Sequence, residues 1–68
     1  MKLNKDTKHN VAIGDVLEFG DGSRYMITAL SDSGKSIVVS ITDTKDRRTI
    51  YGMPISKLYG AMIEKGDN

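Results

Sequence analysis

Two runs decide the fold: Ser36-Ile-Val-Val-Ser-Ile41 and Arg47-Arg-Thr-Ile-Tyr-Gly-Met53, separated by the polar connection Thr42-Asp-Thr-Lys-Asp46. Ile37, Val39 and Ile41 recur at every second position, and Ile50, or the pair Tyr51 and Met53, does so after the connection. A period of two gives each arm one face to bury, the signature of paired strands. β-Branched residues dominate both arms, which suits a pleated surface and disfavours a helix. A lone two-stranded hairpin is marginal in water, so the flanking segments must add strands that cover its apolar face.

Working outward, Val11-Ala-Ile-Gly-Asp-Val-Leu-Glu-Phe19 predicts a first strand in which Ile13 enters the fold and Leu17 and Phe19 face inward. Phe19, the single phenylalanine, is expected as a core anchor. Gly20-Asp-Gly-Ser23 is turn chemistry. Arg24-Tyr-Met-Ile-Thr-Ala-Leu30 follows as a strand with Tyr25, Ile27 and Ala29 inward. Ser31 to Lys35 then turns the chain back into the central hairpin.

After the hairpin, Pro54 ends the strand, and Ile55 and Leu58, spaced by three, fall on one side of a single helical turn. Ala61-Met-Ile-Glu64 is long enough for one closing strand with Ile63 inward. The expected domain plan is a mobile, lysine-bearing arm over residues 1–10, a folded unit over 11–64 and a frayed tail over 65–68.

The reading is therefore all-β: five short strands with one helical turn before the last. That order resembles the SH3-like small barrel shared by SH3, KOW and Tudor-type modules. Ile13-Gly-Asp-Val-Leu17, the central hairpin and Met53-Pro-Ile-Ser-Lys-Leu58 carry the resemblance over residues 11–64. It implies architecture and a ligand groove lined by aromatics, with no particular activity. Recognition of proline-rich peptides by true SH3 domains uses a tryptophan among its aromatics, and this chain has none.

Composition narrows the function. Sixty-eight residues, no cysteine and one histidine leave neither a disulfide framework nor a structural zinc site to hold the core. No apolar run approaches a membrane span and no secretory signal is visible, so a cytoplasmic protein with no membrane partner is expected. A formal charge of +1 does not announce nucleic acid by bulk electrostatics.

Reactive constellations fail on spacing. Ser33-Gly-Lys-Ser36 lacks the earlier glycine of a phosphate loop, where Ala29 stands, and a strand follows instead of a helix. His9 lies in the predicted arm, without a rigid nucleophile beside it. Asp15, Asp21, Asp32, Asp43 and Asp46 are scattered through turns and form no acid–base pair. Thr49-Ile-Tyr51 looks like the active strand of the plasmid-borne type II dihydrofolate reductases, but Thr49 stands where that family has glutamine. No cofactor, metal or catalytic residue is expected.

What remains is a binding module. Arg24, Lys45, Arg47 and Arg48 with Tyr51 and Tyr59 are the candidate partner-binding residues, since arginine forks and tyrosines anchor interfaces. Tyr51 and Tyr59 are expected to flank the helical turn as a groove wall. A protein partner is the leading expectation, with the chain as an inhibitor or accessory factor of the kind phages and mobile elements encode. The alternative is a nucleic-acid-binding barrel using the Lys45–Arg48 loop, and a further one is a homodimer paired through exposed edges or through Met26 and Leu30.

Overall fold

The structure is a computed structural model that describes residues 1–66. Five antiparallel strands, β1 (Val16–Glu18), β2 (Arg24–Asp32), β3 (Ile37–Asp43), β4 (Thr49–Pro54) and β5 (Met62–Glu64), form one sheet in the order β4-β3-β2-β1-β5. Two 3-10 turns, Lys8–Asn10 and Ile55–Leu58, are its helical elements. The expected strand count and the turn before the last strand are present. β4 and β5 are the two edges of the order and do not pair with each other, so the sheet is open rather than a closed ladder.

The central hairpin forms as its period dictates. Ile37, Val39 and Ile41 are all buried, and they join Leu17, Ile27, Ile55, Leu58 and Ile63 in one core cluster. Each such side chain contributes about 1.5–3 kcal/mol of transfer free energy when fully buried. Ile55 and Leu58 fall on the inner side of the second 3-10 turn, as their spacing requires.

Two bulges break the simple alternation. Ile27 lies opposite Ile41, but Ala29 lies opposite Ser40, so the register slips at Thr28. Beyond the slip the inner face passes to Leu30, which packs against the core, and Ala29 is exposed, contrary to the expectation for that strand. The second slip lies between Val39 and Ile41, where Tyr51 and Gly52 both stand across from Ser40. Gly52 takes φ +62, a left-handed conformation that glycine adopts without a Cβ penalty. Met53 packs on the core, whereas Ile50 is partly exposed and Tyr51 turns outward.

One further expectation is corrected. Ile13 does not enter the core: it sits in the Ala12–Asp15 turn and is 57% exposed. Phe19 packs against the core from a partly buried position, and meets Tyr25 edge to face with ring centres 5.8 Å apart.

Within residues 1–10, read as a mobile arm, Met1–Leu3 are joined to the sheet. Leu3 is fully buried, its N–H donates to the Ala61 carbonyl at 2.7 Å, and its carbonyl accepts from Gly60 N–H at 2.8 Å. Ile63 N–H donates to the Met1 carbonyl at 2.7 Å. One leucine in a polar run has no period, yet burying it offsets much of the entropy of ordering its neighbours.

The other end is tied down by Asp15, the one buried charged residue among those described. Its carboxylate accepts from Ala12 N–H at 2.9 Å, Gly66 N–H at 2.8 Å and Lys65 Nζ at 2.7 Å. Lys65 Nζ also donates to the Asn10 carbonyl at 2.6 Å. Burial pushes the Asp15 carboxyl up, but the lysine and the two backbone donors outweigh it and hold the group below the usual carboxylate range. Lys65 and Gly66, read as part of a frayed tail, thus bind across the first turn; Asp67 and Asn68 lie outside the described residues.

Candidate functional site

At one end of the sheet the turn after β1 and the turn after β3 stand side by side, because Thr44 N–H donates to the Arg24 carbonyl at 3.0 Å. Each turn is built by an aspartate that caps its own backbone. Asp21 accepts from Ser23 N–H at 2.9 Å and Ser23 Oγ at 2.6 Å, while Asp43 accepts from Lys45 N–H at 2.8 Å and Asp46 from Arg48 N–H at 3.1 Å. Between the turns lies an open cleft of about 530 Å³ lined by Asp21, Arg24, Asp43 and Lys45 with Gly22, Ser23 and Thr44.

This cleft gathers two of the predicted basic residues but has mixed sign. The Ser23 hydroxyl and N–H hold the Asp21 carboxyl below its ordinary range, so it is ionised at neutral pH. Arg24 is already committed, with Nη2 at 2.6 Å from Glu64 Oε2 on β5. A cradle for phosphates would need its cations free and its carboxylates elsewhere. Arg47 lines a different depression of about 240 Å³ with Met26, Thr28 and Thr42, and Arg48 is exposed beside β4 and lines neither. The four basic residues are therefore neighbours along the sheet end without converging on one point.

The two tyrosines separate. Tyr51, on the outer side of β4, is 80% exposed. Tyr59 follows the second 3-10 turn and walls a groove of about 130 Å³ that Tyr51 does not line, so the expected joint wall is not formed. Pro54 and the Tyr59 ring give the groove its exposed apolar surface over the buried Ile37 and Ile55, Ser36 and Ser56 supply hydroxyls, and Lys8 and Lys35 supply charge. No carboxylate lines it, and neither lysine has an ion-pair partner among the described residues.

Lys8 belongs to the lysine-bearing N-terminal stretch that the nucleic-acid alternative also drew on, and neither it nor Lys35 is among the candidate partner-binding residues read from sequence. They come from the first 3-10 turn and the β2–β3 connection, 27 positions apart by their numbers (35 − 8). The two elements meet beside His9, whose Nδ1 stands 3.3 Å from Asp32 Oδ2 at the end of β2. The Gly34 N–H, with His9 and Lys8 adding to it against a desolvation penalty, keeps the Asp32 carboxyl below its usual range. The Ser33–Ser36 segment is the predicted hairpin turn, with Ser33 N–H donating to the Ser36 carbonyl at 3.1 Å.

Among the described residues no three of His, Cys, Asp and Glu are grouped to hold a metal ion, and no helix is long and apolar enough to cross a membrane. Thr49, Ile50 and Tyr51 lie on the open edge strand. Comparison with known proteins finds no family model, no curated protein and no solved structure that matches the chain.

Proposed function

We propose that this chain is a non-enzymatic binding module that docks on a larger protein and modulates it, and that the Tyr59 groove is its docking site. The observation that carries the reading is the composition of that groove: an aromatic wall beside apolar surface, with two lysines that form no ion pair among the described residues and no carboxylate in its lining, the nearby Asp32 acting on Lys8 from outside it. Such a site complements a peptide segment with an apolar residue flanked by aspartate or glutamate. It lies beside the 3-10 turn, in keeping with the aromatic-lined groove that the SH3-like resemblance implies. We place the module in the cytoplasm as part of the same proposal.

The nucleic-acid alternative draws on Lys45, Arg47 and Arg48, together with Arg24 and Tyr51. The Arg24–Glu64 pair and the two aspartates in the cleft weigh against it, because a backbone of phosphates would meet like charge there. A displayed library of random short peptides, selected on the wild-type chain and on a Lys8→Glu/Lys35→Glu variant, tests the proposal. Enrichment of acidic–apolar sequences on wild type, lost on the variant and on Tyr59→Ala, is the expected result. Selected peptides that bind all three alike would remove the groove from the account. Tighter capture of oligothymidylate than of any peptide, weakening steeply with salt, would favour the nucleic-acid reading.

A further inference from the structure

The pleat that buries Leu17 and Ile27 turns the residues beside them to the other face of the sheet. There one row crosses all five strands in register: Glu64, Val16, Met26, Thr42 and Thr49. Met26, at its centre, is 40% exposed, and Thr42 and Thr49 share a hydrogen bond of 2.8 Å. The neighbouring row, nearer the start of β2, holds Met62, Glu18 and Arg24 and ends at Thr44, whose N–H donates to the Arg24 carbonyl.

Charge on this face is divided by β2. Glu18 and Glu64 stand on its β1 side. On its β3 side Arg47, from the β3–β4 turn, shares a depression with Met26, Thr28 and Thr42. Arg24 Nη2 is held by Glu64 at 2.6 Å. Glu18, opposite Arg24 in the ladder, is therefore left without an ion pair among the described residues, and Arg47 has none there either. Asp43 also lines the depression, but its carboxylate accepts from the Lys45 N–H. An unpaired acid and an unpaired base thus flank β2 at the same end of the sheet.

We propose that this face is an interface between two copies of the chain, related by a two-fold axis that runs along β2. The occupant follows from where the charges lie. Such an axis lays β1 of each copy over β3 of the other, so Glu18 meets Arg47 twice, Val16 meets Thr42, and Met26 meets its own copy at the centre. Arg24 also meets its own copy, each guanidinium already neutralised by Glu64. Lys2, paired beside Met62 at the rim, falls beyond β4 of the copy. An acidic or a basic partner would instead meet like charge on one half of the face. Leu30, expected to join Met26 in such a pairing, packs against the core and takes no part. The molecule's largest projection, 31 by 25 Å, hardly reaches the roughly 800 Å² that a standard interface takes from each partner, so the dimer is weak and reversible. None of these residues lines the Tyr59 groove, and neither proposal requires the other.

Sedimentation equilibrium of the full chain, carried to about 1 mM, tests the proposal on wild type, Glu18→Arg and Arg47→Glu. Each variant alone is expected to associate about tenfold more weakly, since the two-fold axis removes two ion pairs at once. An equimolar mixture of the two variants is expected to recover the wild-type association as a heterodimer, because every reversed charge then faces its opposite. That recovery also separates a lost contact from a lost fold. A wild-type chain that stays monomeric at about 1 mM, variants that associate as wild type does, or a mixture that does not recover overturns the proposal. Amide shifts that grow with protein concentration are expected at Val16, Met26 and Thr42. Shifts centred on Tyr59, Lys8 and Lys35 would assign self-association to the groove and overturn it. Shifts at Met26 and Arg47 that appear only on adding an acidic peptide would assign the face to a different partner and overturn it too.

Discussion

Replacing Asp15 by alanine is expected to cost about 3 kcal/mol, and the structure shows where the loss arises. The buried carboxylate satisfies the N–H groups of Ala12 and Gly66, and each half-buried donor left without an acceptor costs about 1 kcal/mol. The Lys65 side chain is 54% exposed, so water screens its pairing and replaces it, and its share is no more than about 1 kcal/mol. A domain of this length starts with roughly 5 kcal/mol, so most of its stability is at stake. With a urea slope of about 1 kcal/mol per molar for so small a protein, the unfolding midpoint falls by roughly 2–3 M. The pH dependence gives an independent check. The folded Asp15 carboxyl titrates below its ordinary value, so as pH falls the unfolded chain takes up the proton first. Its contribution is full above the unfolded value of about 3.9 and disappears as pH drops through the lower folded value. The gap between wild type and variant in urea unfolding should therefore narrow from neutral pH toward acid. A cost under about 1 kcal/mol at neutral pH, or curves that stay parallel into acid, would refute the reasoning.

Leu3→Ala should destabilise the domain by about 2–5 kcal/mol, the range for a fully buried leucine, where a mobile arm would show none; thermal or urea unfolding decides it. Gly66→Ala should release the C-terminal end, because a Cβ there would lie 2.7 Å from the Gly14 carbonyl oxygen; faster amide exchange at residue 66, with the core protected, is the readout. Arg47 holds φ +63 in the β3–β4 turn, so Arg47→Gly should stabilise by up to about 1 kcal/mol, with part of the relief offset by the added freedom of the unfolded chain. A loss of stability on that change would mean that the arginine side chain makes contacts that outweigh the strain.

The strands were legible because period-two burial is local: Ile37, Val39 and Ile41 announce β3, and Ile55 and Leu58 announce the turn that follows β4. The bulges were not, since a slip at Thr28 depends on what lies across the ladder, and it exchanges Ala29 for Leu30 on the inner face. Asp15 looked like every other turn aspartate, because its distinction is Lys65, fifty positions away, and no local pattern encodes that distance. Gly52 offered a hint, as a glycine inside a strand pattern often marks a bulge. For the site, the exposed Tyr51 and the basic loop could be found by residue type. The meeting of Lys8 with Lys35 could not, because the groove they share with Tyr59 exists only once the first 3-10 turn lies against the end of β2.

The docking role of the Tyr59 groove is tested most directly by amide shift maps of the labelled chain titrated in parallel with a selected acidic–apolar peptide and with oligothymidylate. The account predicts that the peptide moves Lys8, Lys35, Ile37 and Tyr59, and that this response persists as salt is raised to moderate levels. A map centred on Lys45, Arg47 and Arg48, produced by the oligonucleotide and erased by salt, with Tyr59 unmoved by the peptide, would contradict it.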